Sequence, residues 1–167
     1  MASHEQNLVN DLIQTNSNHK PTPLLRILSS NVLAKKTCDL EFEGTIPSNG
    51  ATWRFCLEVK SDKSSSMYNN VLLYFGDILK NRVLMQTKPY IPNISYGVLL
   101  EYHPKKGKTM DSFFIKQIQK YINPRDWDSF GTMYGCRYIF FYNDQTHELY
   151  YSEWAGFVTA TSITKWF

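Results

Sequence analysis

Cysteine is scarce in this chain: there are three, Cys38, Cys56 and Cys136, an odd number with no Cys-x-x-Cys pair. That argues against a disulfide framework or a paired-cysteine zinc site, and the thiols are expected to be buried in a reducing compartment. No apolar run approaches the roughly 20 residues of a membrane span. The first residues, Met1-Ala2-Ser3-His4-Glu5, lack the basic stretch and apolar core of a signal peptide, so a cytoplasmic location is expected. Also missing are a Gly-x-x-x-x-Gly-Lys phosphate loop, a His-Glu-x-x-His helix and a Gly-x-Ser-x-Gly elbow. The four histidines, His4, His19, His103 and His147, fall in expected loops and termini without ligand-type spacing, which argues against zinc and Ser–His catalysis. A strong charge of either sign is lacking too. With 18 Lys and Arg against 15 Asp and Glu, the net charge of +3 permits contact with a polyanion without requiring it.

What is present is material for a core. The 167 residues are 43% hydrophobic and 15% aromatic, which suits one folded domain spanning 1–167. Domains of this size bury roughly two-thirds of the surface the unfolded chain exposes. Residues 38–60 carry the most chemistry. Phe55, Leu57 and Val59 alternate with Arg54, Cys56, Glu58 and Lys60, so a period of two puts the apolar set into a core and Glu58 beside Lys60 on the other face. Cys38, Leu40 and Phe42 alternate likewise with Asp39, Glu41 and Glu43. The turn formers Ile46-Pro47-Ser48-Asn49-Gly50 join the two segments, and a hairpin would bring Asp39 or Glu41 near Glu58 and Lys60. Such a face is either a reactive cluster or a set of charges turned to water.

An acid on one strand followed by Glu-x-Lys on the next resembles the PD-(D/E)xK nuclease superfamily, with Asp39 as the strand acid, Glu58 as the second acid and Lys60 as the lysine. The proline of that motif is absent, and Cys38 stands before Asp39. The resemblance implies a restriction-endonuclease-like domain that hydrolyses DNA phosphodiester bonds with Mg²⁺ or Mn²⁺. Asp39 and Glu58 would be the metal ligands and Lys60 would orient water or stabilise charge. Glu41 shares a strand face with Asp39 and is an alternative to it. Members of the superfamily often place a first-helix glutamate near the metal, which makes Glu5 a fourth catalytic candidate; a glutamate is also simply favourable at a helix N-terminus. A homodimer is implied if both DNA strands are cut. The alternative is a non-catalytic α/β module that binds nucleic acid or a protein.

The remaining chain supplies the frame. Ser3 and Gln6 have capping-box spacing, and Leu8, Val9, Leu12 and Ile13 predict a helix over 4–15. Leu24 to Leu28 is a short apolar run, strand or helix. Val71, Leu72, Phe75, Ile78 and Leu79 predict a helix over 67–83, and 96–102 reads as a central parallel strand. A further helix is expected over 110–121, with 123–128 a capped break after it. Residues 137–142 and 148–154 predict an antiparallel hairpin. The tail ends in Thr164-Lys165-Trp166-Phe167, whose aromatics, if exposed, would suit a dimer contact. Lys105, Lys106 and Lys108 form the most basic run, a candidate phosphate-backbone contact or simply a solubilising loop. The expected architecture is α/β, a central mixed β-sheet flanked by helices, in the order helix, strands, helix, strand, helix, hairpin.

Overall fold

The computed structural model describes residues 3–30, 38–61, 73–86, 93–104, 118–160 and 162–167. Helix α1 spans His4–Ser17, with Ser3 as N-cap: the Gln6 N–H donates to Ser3 Oγ at 3.1 Å. Leu8, Val9 and Leu12 are its buried stripe. Its last turn is tied down by Asn16, whose side-chain amide both donates to the Leu25 carbonyl and accepts from the Leu25 N–H, each at 2.9 Å. That pair fixes the start of β1 (Leu25–Ser30), so the short apolar run is a strand.

Strands β2 (Leu40–Thr45) and β3 (Thr52–Lys60) form the expected hairpin, with Leu40 opposite Leu57 and Thr45 opposite Thr52. Gly50, at φ 71°, turns the loop in a left-handed conformation that glycine takes without strain. Helix α2 (Leu73–Gln86) leads to β4 (Ile94–Glu101); the earlier turns expected from residue 67 lie outside the described residues. Of the helix expected over 110–121, residues 118–121 are helical and 110–117 lie outside the described residues.

The expected break over 123–128 is instead a helix start. Helix α3 runs Pro124–Tyr134, with Asn123 as N-cap accepting from the Arg125 N–H, and Gly135 at φ 74° closing it. Asn-Pro at the start and a left-handed glycine at the end are helix boundary signals, and Trp127 and Gly131, four apart, mark the buried face. Strands β5 (Tyr138–Asn143) and β6 (Glu148–Glu153), a short helix α4 (Phe157–Ala160) and strand β7 (Thr164–Lys165) complete the chain.

All seven strands lie in one mixed sheet in sequence order: β3, β4 and β5 are parallel neighbours, and every other neighbouring pair is antiparallel. Both faces are covered. Phe42, Phe55, Leu57, Leu99 and Phe140 join Leu8, Val9 and Leu12 of α1 on one side. Cys56, Val98, Leu100 and Phe141 join Ile78 of α2 and Trp127 of α3 on the other. Each fully buried Leu or Phe contributes about 1.5–3 kcal/mol, so two apolar layers rather than the hairpin alone hold the sheet.

The tail corrects an expectation. Trp166 is 9% exposed, its ring lying against Phe42, Phe55, Phe140 and Tyr151, and it sits where a side chain on Gly44 would collide with it at 2.8 Å. The tail indole is therefore core, since burying so large a ring outweighs leaving it at the surface, and it offers no exposed aromatic for a dimer contact. The three cysteines are buried thiols outside any disulfide, as expected, and burial pushes the Cys136 thiol up to about 12. Among the described residues no helix is long and apolar enough to cross a membrane.

Candidate active site

The period-two alternation of β3 sends Phe55, Leu57 and Val59 to the α1 side and Glu58 with Lys60 to the α2 side. Because Leu40 faces Leu57, Asp39 stands next to Glu58 at the open end of the hairpin. The Val59 N–H donates to Asp39 Oδ2 at 3.0 Å, and the Asp39 and Glu58 side chains are hydrogen-bonded to each other. Each of these acids is only 8% exposed. Asp39 and Glu58 are therefore not charges turned to water: helix α2 lies over this end of the face.

Helix α2 supplies residues at positions 74, 77 and 81, one helical face. Lys60 Nζ lies 3.8 Å from Glu58 Oε1 and 3.0 Å from Asp77 Oδ2, with the Tyr74 ring centroid 5.8 Å away. Asn81 Nδ2 donates to Glu58 Oε2 at 3.4 Å, while Asn81 Oδ1 is buried without a hydrogen-bond partner. Asp77 and Asn81 escaped the sequence reading because nothing in 67–83 distinguishes polar residues facing the sheet from polar residues facing water.

The electrostatics of the pair are unusual. Burial first, and the neighbouring Glu58 second, push the Asp39 carboxyl from 3.8 up to about 8, against the pull of the Val59 N–H and Lys60. At neutral pH Asp39 thus keeps its proton. Two adjacent buried carboxyls, once ionised, offer hard oxygen donors of the kind that accommodates Mg²⁺ or Mn²⁺, so the residues present fit such an ion.

Other candidates fall elsewhere. Glu41 is buried one step along β2, but its Oε1 lies 3.3 Å from Arg54 Nε and its Oε2 accepts from Ser29 Oγ at 3.2 Å, so Asp39 is the acid beside Glu58. The Arg54 contact is an ion pair without an aligned hydrogen bond, since Arg54 Nε has no hydrogen-bond partner. Glu5 is half-buried in the first turn of α1, in the layer on the opposite face of the sheet from Glu58 and Lys60. Lys105, Lys106 and Lys108 lie outside the described residues.

A second polar cluster went unpredicted. Glu101, His103 and Asp144 place one donor atom each within 4.8 Å of one another, the only such trio of His, Cys, Asp or Glu among the described residues. The signal is a Glu-x-His pair at the end of a parallel strand, which the spacing between histidines does not show.

These two clusters define the class of the molecule: a mixed α/β domain with polar groups gathered at the carboxyl ends of its parallel strands. No family model, curated protein or solved structure matches the chain.

Proposed function

We propose that Asp39, Glu58 and Lys60 form the centre of a metal-dependent nuclease that hydrolyses DNA phosphodiester bonds on a restriction-endonuclease-like framework. The observation that carries this reading is the meeting of two buried acids and one lysine from adjacent strands, with the Asp39 carboxyl held well above its ordinary range. The element order supports it: α1, three antiparallel strands, α2, then a parallel β4 beside the strand that carries Glu58.

Asp39 and Glu58 would hold Mg²⁺ or Mn²⁺, which supplies Lewis-acid polarisation of a phosphate oxygen and lowers the proton affinity of water. Lys60, steered by Asp77 and Glu58, offers its ammonium to the water or to charge growing on the phosphate. Asn81 holds Glu58 in position through its amide. The proton on Asp39 leaves when a cation arrives, as ligand carboxylates must be ionised.

The test is cleavage of plasmid, branched DNA and RNA with Mg²⁺ or Mn²⁺ by the wild type, Glu58→Gln and Lys60→Met, with folding matched by circular dichroism. Metal-dependent DNA cleavage that falls by roughly 10²-fold or more in both variants is expected. Absence of cleavage together with no Mn²⁺ binding by calorimetry sinks the reading and leaves a binding module with a buried charge network.

A further inference from the structure

We infer that Glu101, His103 and Asp144 form a second metal site, for a first-row divalent cation such as Zn²⁺, on the face of the sheet opposite Glu58 and Lys60. The inference is independent of the nuclease reading.

Strand register builds the trio. Glu101 pairs with Tyr142 across the parallel β4–β5 ladder. Two residues further along each chain, on the same face by the period of two, come His103 and Asp144. Tyr142 packs in the α1-side core, which fixes that face. His103 Nε2 lies 2.5 Å from Asp144 Oδ1 and 3.5 Å from Glu101 Oε1, so one imidazole nitrogen faces both carboxylates. Glu101 is 5% exposed and its other oxygen accepts from Ser61 Oγ at 2.7 Å, a contact from the end of β3 that orients it. His103 and Asp144 are half-buried, which leaves a path for an ion.

The donor set selects the metal class. One imidazole nitrogen with two carboxylate oxygens suits Zn²⁺ or Mn²⁺ better than Mg²⁺, which takes oxygen and keeps most of its water. Zn–N and Zn–O bonds of about 2.0–2.2 Å put neighbouring ligand atoms roughly 3–4 Å apart, so side-chain adjustments alone separate the present arrangement from a coordinating one. Three protein ligands leave at least one place for water. An ion there would tie β4 to β5 at the carboxyl ends of the parallel strands, the edge at which open α/β sheets bind ligands.

The experiment uses the full chain carrying Asp39→Asn and Glu58→Gln, so that the first centre does not contribute, and compares it with the same chain bearing His103→Gln or Asp144→Asn. Calorimetric titration with Zn²⁺ alone is expected to show one site whose affinity falls tenfold or more in each added variant. Imidazole ¹⁵N spectra of the parent, which need no further substitution, are expected to show His103 Nε2 shifting on addition of one equivalent of Zn²⁺. Affinities within twofold of the parent in both variants, or an unmoved His103 resonance, overturn the site and leave His103 as a bridge between two acids. Cleavage activity is not read in this experiment, so its failure is separate from failure of the nuclease reading.

Discussion

Asp39→Asn should make the metal-free protein more stable at neutral pH while weakening metal binding at the Asp39–Glu58 pair. The Asn carbonyl can accept from the Val59 N–H as Asp39 does at 3.0 Å, and the amide can donate toward Glu58 where the protonated acid now does. The replacement therefore copies the protonated carboxyl without the option of ionising. Asp39 is raised from 3.8 to about 8 in the fold, so between these values the native state holds a proton that the unfolded chain has released. Stability then falls as pH rises through that window, by up to about 1.4 kcal/mol per pH unit. By pH 7 the full effect would be roughly 4 kcal/mol, and relaxation with water entry reduces the expected gain from Asp39→Asn to about 2 kcal/mol. Urea unfolding in chelator, followed by tryptophan fluorescence at pH 5, 6, 7 and 8, measures the difference between the two proteins. That difference should be small at acid pH, grow toward pH 8 and level off above it. Adding Mg²⁺, which the nitrogen-bearing second cluster does not favour, at a hundred times its dissociation constant for the Asp39–Glu58 pair should return about 2.7 kcal/mol to the wild type and much less to the variant. A pH-independent difference, or a variant less stable than wild type at pH 7, would refute the argument.

Substitutions at three further positions probe the frame. Gly131→Ala puts a methyl group 2.3 Å from Trp154 Cδ1, in the stacked Trp127–Trp154 pair whose rings lie 3.9 Å apart, and should cost about 1–3 kcal/mol, read as a lowered thermal midpoint. Trp166→Ala empties a site against Phe42, Phe55 and Phe140, and should cost about 3–5 kcal/mol by urea unfolding with no change in sedimentation of the folded protein. Asn123→Ala removes the side-chain acceptor for the Arg125 N–H at 2.8 Å and should cost about 1 kcal/mol, whereas Asn123→Asp should be close to neutral.

Much of the frame was legible because it rests on local rules. Alternation in 53–60, the turn residues at 47–50 and the apolar continuity of 96–100 each force one local answer, and the sheet assembles from them. The first centre was readable for the same reason: Asp39, Glu58 and Lys60 belong to one hairpin, where spacing in sequence is spacing in space. Helix α3 was missed although its signals were local, because Asn123-Pro124 can end one helix or begin another, and only the spacing of Trp127, Phe130, Gly131 and Tyr134 decides. The burial of Trp166 was not readable at all, since it depends on the curl of the sheet that brings β7 toward Gly44.

The second cluster shows where such reading stops for a physical reason. Glu101 and His103 are neighbours on one strand, but Asp144 joins them only through the parallel register that sets Glu101 beside Tyr142, and Ser61 only through the register of β3 with β4. Parallel pairing carries no turn that would fix register in the sequence, so it is set by the packing of α2 and α3 over the sheet. The same parallel strands end at Lys60, Glu101 and Asn143, which gathers polar groups at one edge while the apolar middles of the strands fill two cores. Alternation then divides those groups between the faces, Glu58 and Lys60 under α2, Glu101 and His103 on the side of α1. One edge of one sheet therefore presents two chemically distinct donor sets, an all-oxygen pair with a lysine and a mixed nitrogen–oxygen trio, so that Mg²⁺ favours the first, Zn²⁺ the second, and Mn²⁺ is compatible with either.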